Sequence, residues 1–326
     1  MKVLITGGAG FIGSHLSEKL LKQNHDVVVI DDLSTGKLDN IAHLMGQPRF
    51  TFVQDTVRNE QIMHLLISQA DRVYHLAAAV GVKLIVQRPV HTIETNIHGS
   101  EVVLAIANKF RKPVFLASTS EVYGKNERVP FCEDDDSLLG STRFSRWAYA
   151  CSKMIDEFLG KAYYDQFGLP VVIGRFFNTV GPRQTGQYGM VVPRFIEQAL
   201  KNEPIQIYGD GKQSRCFGHV DDVTGAVIKL MDHPQAPGQV FNIGNNEEIS
   251  IEGLADFIIQ RTGSKSPKVF VTYEEAYGKF FDDMRRRVPS LDKVRSIIGY
   301  QPKHNLAKII DDIVGSLKSN PSPSRS

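Results

Sequence analysis

The chain has 326 residues, 42% of them hydrophobic and 23% charged, which suits one large domain or two coupled domains with a full core. Its formal net charge of +2 gives no broad field that would favour nucleic acid or a membrane surface. No apolar run approaches the roughly 20 residues that span a bilayer. From the charge and the apolar runs together, neither nucleic acid nor a membrane is expected among the partners.

The N-terminal segment has the pattern of a nucleotide-binding βαβ unit. In chain order it comprises a strand over Lys2–Ile5, a glycine-rich turn over Thr6–Gly13, a helix over Ser14–Lys22 and a strand over Val27–Ile30. Gly7 permits the tight turn, Gly10 allows the backbone to approach a pyrophosphate, and Gly13 lets the helix pack close to the strand. The helix N-terminus would then face the phosphates.

A carboxylate at the end of the second strand indicates which dinucleotide binds. Asp31 can accept hydrogen bonds from both hydroxyls of an adenosine ribose and would repel a 2′-phosphate, so NAD is favoured over NADP. Small or hydrogen-bonding residues follow several later strands, which predicts a continuous cofactor groove. The predicted cofactor-binding residues are Gly7, Gly10, Phe11, Ile12, Gly13, Asp31, Asp32, Asp55, Thr56, Leu76, Ala77, Ala78 and Lys153.

Strand-like and helix-like runs alternate through the next part of the chain. The strands are predicted at Phe50–Val53, Arg72–Leu76, Pro113–Ala117 and Pro170–Arg175, and the helices at Glu60–Ser68, Val90–Asn108 and Ala148–Phe167. Such βα alternation implies a parallel sheet that is covered on both faces. The fold class is therefore predicted to be α/β, with a Rossmann-type doubly wound parallel sheet.

The alternation loosens after about residue 176, which indicates a smaller C-terminal substrate domain. Residues 1–176 are predicted to form the NAD-binding domain, with return segments at about 217–245, and residues 177–318 mainly the substrate domain. Residues 319–326, rich in Ser and Pro, are predicted to be a disordered tail. Within the substrate domain, strands are predicted at Ile205–Tyr208 and Val269–Thr272, and helices at Ile251–Arg261 and Leu306–Leu317.

The cysteines and other potential ligands indicate no metal site. Cys132, Cys151 and Cys216 are odd in number and widely spaced, which fits neither a disulfide framework nor a zinc site. The His and Asp residues show no ligand spacing either, so no metal is expected. The chain opens on a strand pattern with no targeting segment, and together with the cysteines this predicts a cytoplasmic location.

A tyrosine and a lysine one helical turn apart form the candidate proton-transfer group. Tyr149 and Lys153 lie on one face of a predicted helix. A tyrosine that releases its proton near neutral pH needs a pKa well below its ordinary value of about 10, and a nearby ammonium group lowers that pKa. Thr119, thirty residues before Tyr149, follows another strand and could hydrogen-bond the same substrate hydroxyl.

These motifs together resemble the extended short-chain dehydrogenase/reductase family, the NAD-dependent epimerases, dehydratases and decarboxylases of nucleotide sugars. The resemblance rests on Thr-Gly-Gly-Ala-Gly-Phe-Ile-Gly at 6–13, Asp31, Ser-Thr-Ser-Glu-Val-Tyr-Gly at 118–124 and Tyr-Ala-Cys-Ser-Lys at 149–153. It implies that Thr119, Tyr149 and Lys153 act in proton transfer and that a bound NAD transiently oxidises the sugar at C4. It also implies a homodimer formed by the helices around 90–108 and 148–167.

Within this family, the residues after Thr119 are similar to those of UDP-glucuronate decarboxylases. Ser120 stands where thymidine-diphosphate-glucose dehydratases have an aspartate, and Glu121 would manage protonation at C5. Thr-Ser-Glu also occurs in GDP-mannose dehydratases. Decarboxylases carry an Arg-x-Pro segment that Arg287 matches, and a guanidinium suits a carboxylate or a phosphate. The predicted substrate-binding residues are Ser120, Asn178, Val191, Arg215 and Arg287.

The favoured prediction is a UDP-glucuronate decarboxylase that produces UDP-xylose. A UDP-sugar 4-epimerase acting on UDP-glucose, UDP-N-acetylglucosamine or UDP-glucuronate is the alternative, since Ala150–Cys151–Ser152 is similar to the epimerases. A nucleotide-sugar 4,6-dehydratase is a further alternative. A non-catalytic NAD-binding sensor on the same fold would be a different class of protein, and such proteins typically lose the tyrosine or the lysine.

Overall fold

The computed structural model describes residues 1–81, 85, 88–186, 190–277 and 282–319. Thirteen strands lie within these segments. They are β1 (Lys2–Thr6), β2 (Asp26–Asp31), β3 (Phe50–Gln54), β4 (Arg72–His75), β5 (Val114–Thr119), β6 (Val171–Phe176), β7 (Thr179–Val180), β8 (Ile205–Tyr208), β9 (Ser214–Cys216), β10 (Gly218–His219), β11 (Val240–Ile243), β12 (Glu248–Ser250) and β13 (Lys268–Val271).

Seven of these strands form one parallel sheet in the order β3-β2-β1-β4-β5-β6-β11. The order reverses between β1 and β4, which is where ligands bind in a doubly wound fold. The predicted α/β fold class with a doubly wound parallel sheet is confirmed. Strand β11 comes from the return segment expected at about 217–245 and pairs with β6.

Helices cover both faces of the sheet and build the C-terminal part. They are α1 (Phe11–Lys22), α2 (Glu60–Gln69), α3 (Pro89–Lys109), α4 (Arg146–Phe167), α5 (Val191–Leu200), α6 (Val220–Asp232), α7 (Ile251–Thr262), α8 (Tyr273–Tyr277), α9 (Asp292–Ile298) and α10 (Leu306–Ser319). Within the described segments, none of these helices has the length and apolarity needed to cross a bilayer.

The two faces of the sheet carry separate hydrophobic cores. Val3 and Ile5 of β1 pack in one core with α1 and α6, whereas Leu4 packs in the other with α2 and α3. Successive strand side chains point to opposite faces, so a strand buried on both sides reads as a continuous apolar run. This burial on both faces explains the apolar runs from which β1 and β2 are predicted.

A third core lies in the C-terminal part, where α5, α7 and α10 pack over the β8–β13 pair. The pairs β7–β10 and β9–β12 connect this part to the large sheet. Helix α5 begins at Val191, a residue expected only as a substrate contact, and the helix itself was not predicted. The boundary between the two domains at residue 176 stays a prediction. Residues 320–326 of the predicted tail lie outside the described residues.

Candidate active site

A cavity of about 440 Å³ runs along the carboxyl ends of the central strands and into the C-terminal part. Its lining includes every predicted site residue except Thr56, whose backbone N–H donates to Asp55 Oδ1 at 2.7 Å. The predicted residues it brings together are Gly7, Gly10, Phe11, Ile12, Gly13, Asp31, Asp32, Asp55, Leu76, Ala77, Ala78, Thr119, Ser120, Glu121, Tyr149, Lys153, Asn178, Val191, Arg215 and Arg287.

The glycine-rich turn forms a cradle that side chains would fill. Gly7 has a φ of +70°, and a Cβ there would lie 2.8 Å from the Ala77 backbone. A Cβ on Gly13 would lie 2.3 Å from the Gly7 carbonyl oxygen, so only glycine lets α1 approach this closely. Gly10 lines the cavity as the residue that precedes α1. The open helix N-terminus beside bare backbone fits a pyrophosphate.

The Asp31 carboxylate is held at the edge of the same cavity. It accepts hydrogen bonds from the backbone N–H of Ala9 at 3.0 Å and of Leu33 at 2.8 Å. Burial raises the pKa of Asp31, although these two N–H groups favour its charged form. A Cβ at position 36 would lie only 2.7 Å from Asp31 Oδ1. The glycine at this position therefore leaves space beside the carboxylate. Together with the glycine cradle, this carboxylate fits the adenosine end of NAD.

The candidate proton-transfer residues come from two neighbouring elements. Thr119 ends β5, while Tyr149 and Lys153 lie one turn apart in α4. Burial raises the pKa of the Tyr149 hydroxyl, and the negative charge of Glu121 adds to that shift. A hydrogen bond with the Thr119 side chain and the charge of Arg287 oppose it. The structure thus places all three residues at the meeting point of the cofactor groove and the C-terminal part.

Next to Tyr149 lies a buried charged group that we call the arginine cluster, consisting of Arg146, Arg215, Arg287, Glu121 and Asp283. Glu121 accepts hydrogen bonds from Arg146 Nε at 3.1 Å, from Arg146 Nη2 at 3.0 Å and from Arg287 Nη1 at 2.8 Å. Asp283 Oδ1 accepts from Arg146 Nη1 and from Arg215 Nη2, each at 2.8 Å. The cluster therefore links β9, α4 and the segment before α9.

The electrostatics of the arginine cluster keep both carboxylates ionised. Burial alone would raise the pKa of Glu121, but Arg146 and Arg287 outweigh it and hold the pKa below its usual range. Burial is likewise outweighed at Asp283, where Arg215 and Arg146 lower the pKa to about 2. Three guanidinium groups against two carboxylates leave one positive charge in excess, which favours an anionic ligand.

One guanidinium of the cluster retains hydrogen-bonding capacity. Arg287 Nη2 donates to Asn178 Oδ1, but the buried Nε of Arg287 has no partner among the described residues. Burial lowers the pKa of Arg287 to about 10, so the group stays charged near neutral pH. Arg287 lines the cavity, so the positive charge of its guanidinium acts on a carboxylate or phosphate bound there.

The sequence interpretation did not include Arg146, Asp283 and Tyr273 among the site residues. Tyr273 donates from its hydroxyl to Asp283 Oδ2 at 2.8 Å and lines the cavity. One local signal existed for Arg146, which precedes Tyr149 by three residues and so shares its helix face. Asp283 is near Arg287 in sequence, but its contact with Arg146 spans 137 residues, and no sequence pattern reports such a contact.

The sequence is similar to a known protein family and to named decarboxylases. A family described as GDP-mannose 4,6 dehydratase matches residues 4–313. A UDP-N-acetyl-alpha-D-glucosaminuronate decarboxylase of Bacillus cytotoxicus is 43% identical over 302 residues, which cover 92% of each chain. UDP-glucuronic acid decarboxylase 1 of Xenopus tropicalis is 35% identical over 302 residues, which cover 92% of this chain and 68% of that protein.

Solved structures resemble the whole fold. A UDP-glucuronic acid 4-epimerase from Bacillus cereus, in complex with UDP-glucuronic acid and NAD, superposes with a TM-score of 0.88 at 30% identity. The match covers 98% of this chain and 99% of that one. The similarity therefore extends over both the central sheet and the C-terminal part.

Proposed function

The chain belongs to the GDP-mannose 4,6-dehydratase family, and from this premise we propose that it is an NAD-dependent enzyme that decarboxylates UDP-glucuronate to UDP-xylose. The resemblance to NAD-dependent nucleotide-sugar enzymes is thereby confirmed at the level of the family. Relatives named as decarboxylases support this reaction. The 43%-identical relative is named for an N-acetylated hexuronate, which makes UDP-N-acetylglucosaminuronate the second substrate to test.

The observation that carries the proposal is the excess positive charge beside Tyr149. Glu121 is already bound by Arg146 and Arg287, yet the Nε of Arg287 has no partner among the described residues. A hexuronate differs from a neutral hexose by the carboxylate on C5, close to the C4 hydroxyl that is oxidised. A buried guanidinium next to the proton-transfer residues suits that carboxylate.

The first half of the proposed mechanism is oxidation at C4. Tyr149 accepts the proton of the C4 hydroxyl, while Thr119 hydrogen-bonds the reacting oxygen. NAD, held by the glycine cradle and Asp31, supplies the reversible oxidation of the sugar at C4. Because burial raises the pKa of Tyr149, its acidity depends on the cations around it, among which Lys153 is one helical turn away.

The second half is the loss of CO2. Oxidation at C4 makes the substrate a β-keto acid, so the C5–C6 bond breaks with its electron pair moving onto the C4 oxygen. Tyr149 and Thr119 stabilise the resulting enolate by hydrogen bonds. Glu121, held ionised by two guanidinium groups, accepts a hydrogen bond from a water molecule and orients it to protonate C5. The hydroxide that remains takes up a proton from solvent, so one proton is consumed for each CO2 released. Reduction at C4 then completes the cycle.

The test is to incubate the purified chain with NAD and UDP-glucuronate and to follow the products by mass spectrometry and NMR. Loss of CO2 with formation of a pentose nucleotide is the expected result. A parallel reaction with UDP-N-acetylglucosaminuronate decides between the two hexuronates. Tyr149→Phe is the matched control, because it removes only the hydroxyl and should abolish turnover while NAD still binds.

A second candidate function is 4-epimerisation of UDP-glucuronate. It is favoured by the similarity to the Bacillus cereus 4-epimerase, and by Ala150–Cys151–Ser152, which resembles the epimerases. An isomer of unchanged mass would establish it and overturn decarboxylation. Loss of water would indicate a dehydratase, and binding of NAD without turnover of any nucleotide sugar would indicate a sensor.

We also propose that the chain forms a homodimer through α3 and α4. Large apolar side chains lie exposed on both helices, notably Val90 and Ile93 on α3 and Ile155 and Phe158 on α4. A second copy that packs its own helix pair here would remove this apolar surface from water.

The cytoplasm is the proposed location. Cys132, Cys151 and Cys216 are all free thiols, two of them exposed, which is compatible with a reducing compartment. Fractionation of cells that express the chain, followed by detection with an antibody, tests this. Recovery in an oxidising compartment would contradict it.

A further inference from the structure

Directly behind the candidate catalytic lysine lies a buried carboxylate that the proposed mechanism does not use. Asp156 Oδ2 accepts a hydrogen bond from Lys153 Nζ at 2.7 Å, and the two side chains are only 1% and 3% exposed. Lys153 lines the cavity, whereas Asp156 does not. The carboxylate therefore holds the ammonium group from the side away from the ligands.

Polar side chains from neighbouring elements surround Asp156. The Ser100 side chain of α3 favours the charged form of Asp156 and so lowers its pKa, although Asp156 Oδ1 has no hydrogen-bond partner among the described residues. The Ser100 hydroxyl also lies 3.2 Å from His75 Nε2 on β4, and His75 Nδ1 lies 2.8 Å from Thr6 Oγ1 on β1. All of these side chains are buried.

The buried ion pair between Lys153 and Asp156 is energetically costly, so its presence requires an explanation. Desolvation of two charges costs several kcal/mol, which their attraction offsets only in part, and a pair within one helix fixes no tertiary contact. Its location suggests the reason, because the negative charge of Asp156 acts on Tyr149 and raises the pKa of that hydroxyl. The charge of Asp156 therefore acts at the Tyr149 hydroxyl, and the ammonium group that Asp156 binds belongs to Lys153, one helical turn from Tyr149.

We propose that Asp156 is a positioning residue, which holds the Lys153 ammonium group in place and limits the positive charge that Tyr149 experiences. The inference rests on the proposed role of Tyr149 in proton transfer. The other charged or titratable groups around Asp156 are Glu157 of the same helix, Arg175 of β6 through Glu157, His75 of β4 beyond Ser100, and Glu121 through Tyr149.

The experiment titrates Tyr149 directly and needs no substrate. With NAD bound, the tyrosinate absorbance in the near ultraviolet is followed against pH, and the curve of the matching Tyr149→Phe protein is subtracted. Asp156→Asn keeps the shape and removes the charge, so we expect the midpoint of Tyr149 to fall by about one pH unit. Asp165→Asn is the matched control, since Asp165 pairs with Lys161 on the same helix but is exposed.

An unchanged or raised midpoint in Asp156→Asn, whatever its melting temperature, would overturn the inference and leave Asp156 a structural residue. If Asp156→Asn does not fold, Ser100→Ala is the second variant. Loss of the Ser100 hydroxyl disfavours the charged form of Asp156, so the Tyr149 midpoint should fall by a smaller amount, and no fall overturns the inference. Turnover of UDP-glucuronate by the wild-type chain tests the proposed function separately.

Discussion

At the scale of single residues, Arg146 joins the two carboxylates of the arginine cluster. It donates to Glu121 and to Asp283, and its side chain is only 5% exposed. Arg146→Met keeps the apolar stem but leaves both buried carboxylates with one guanidinium each. We therefore expect the free energy of unfolding to fall by about 3 kcal/mol. Urea denaturation followed by circular dichroism measures this change.

The control for this substitution is Arg285→Met, at a residue that lies between Asp283 and Arg287 in sequence. Arg285 pairs with Asp210, but its side chain is 68% exposed, so solvent screens the interaction. Its substitution should leave the urea midpoint unchanged. Equal losses in the two variants would show that burial of the Arg146 contacts contributes nothing to stability.

At the scale of elements, His75 connects the end of β4 to β1 and α3, through Thr6 and Ser100. Burial, with the charge of Lys153, lowers the pKa of His75 from 6.5 to about 3. Between these two values the unfolded chain binds a proton that the folded chain does not. The stability that depends on His75 being neutral is therefore fully present above pH 6.5. It is lost as the pH falls towards 3, because the unfolded chain gains a proton there and the folded chain does not.

The expected result is a slope of about 1.4 kcal/mol per pH unit in the free energy of unfolding, contributed by His75 across this window. His75→Gln retains a donor and an acceptor but cannot take up the proton, so this part of the slope should disappear. Urea unfolding at a series of pH values measures it. The exposed His98 on α3, substituted by Gln, is the control, and an identical slope in wild type and His75→Gln would contradict the assignment.

The elements also show what the sequence could predict. Glycine spacing, apolar runs and the acid at the end of β2 are local signals, and they located β1, α1, β2 and the turn between β1 and α1 correctly. The helix carrying Tyr149 and Lys153 was found for the same reason. The arginine cluster could not be found in this way, because Arg287 meets Glu121 across 166 residues and Arg146 meets Asp283 across 137. Such contacts depend on tertiary packing, which periodicity does not report.

Short elements could not be predicted from the sequence either. Helix α9 spans seven residues, and the 3-10 turn Ser120–Tyr123 spans four, too few to show a periodic apolar face. The turn nevertheless matters for the site, because it holds Glu121 directly after Thr119. Thr119 Oγ1 accepts a hydrogen bond from the Glu121 backbone N–H at 3.2 Å, which fixes the two side chains relative to each other.

At the scale of the whole molecule, the cavity requires both parts of the chain. The central sheet supplies the glycine cradle, Asp31 and Thr119, whereas the segment around Asp283–Arg287 comes from the C-terminal part. Arg183 adds another connection, since its Nη1 donates to the Asn40 backbone oxygen at 3.1 Å and to Glu18 at 2.6 Å. Arg183 and Asn40 both line the cavity, so this contact between the two parts lies at the cavity wall.

The proposed dimer makes the last prediction at this scale. Phe158 on α4 is 71% exposed, an unusual environment for a large apolar side chain, and it lies on the helix that also carries Tyr149 and Lys153. Phe158→Glu would place a charge inside the proposed interface, so the protein should become monomeric. Sedimentation velocity measures the mass. Phe270→Glu is the matched control, because Phe270 is 50% exposed on β13, and that variant should remain dimeric. A wild-type monomer would contradict the dimer outright, and a dimeric Phe158→Glu would move the interface away from this surface of α4.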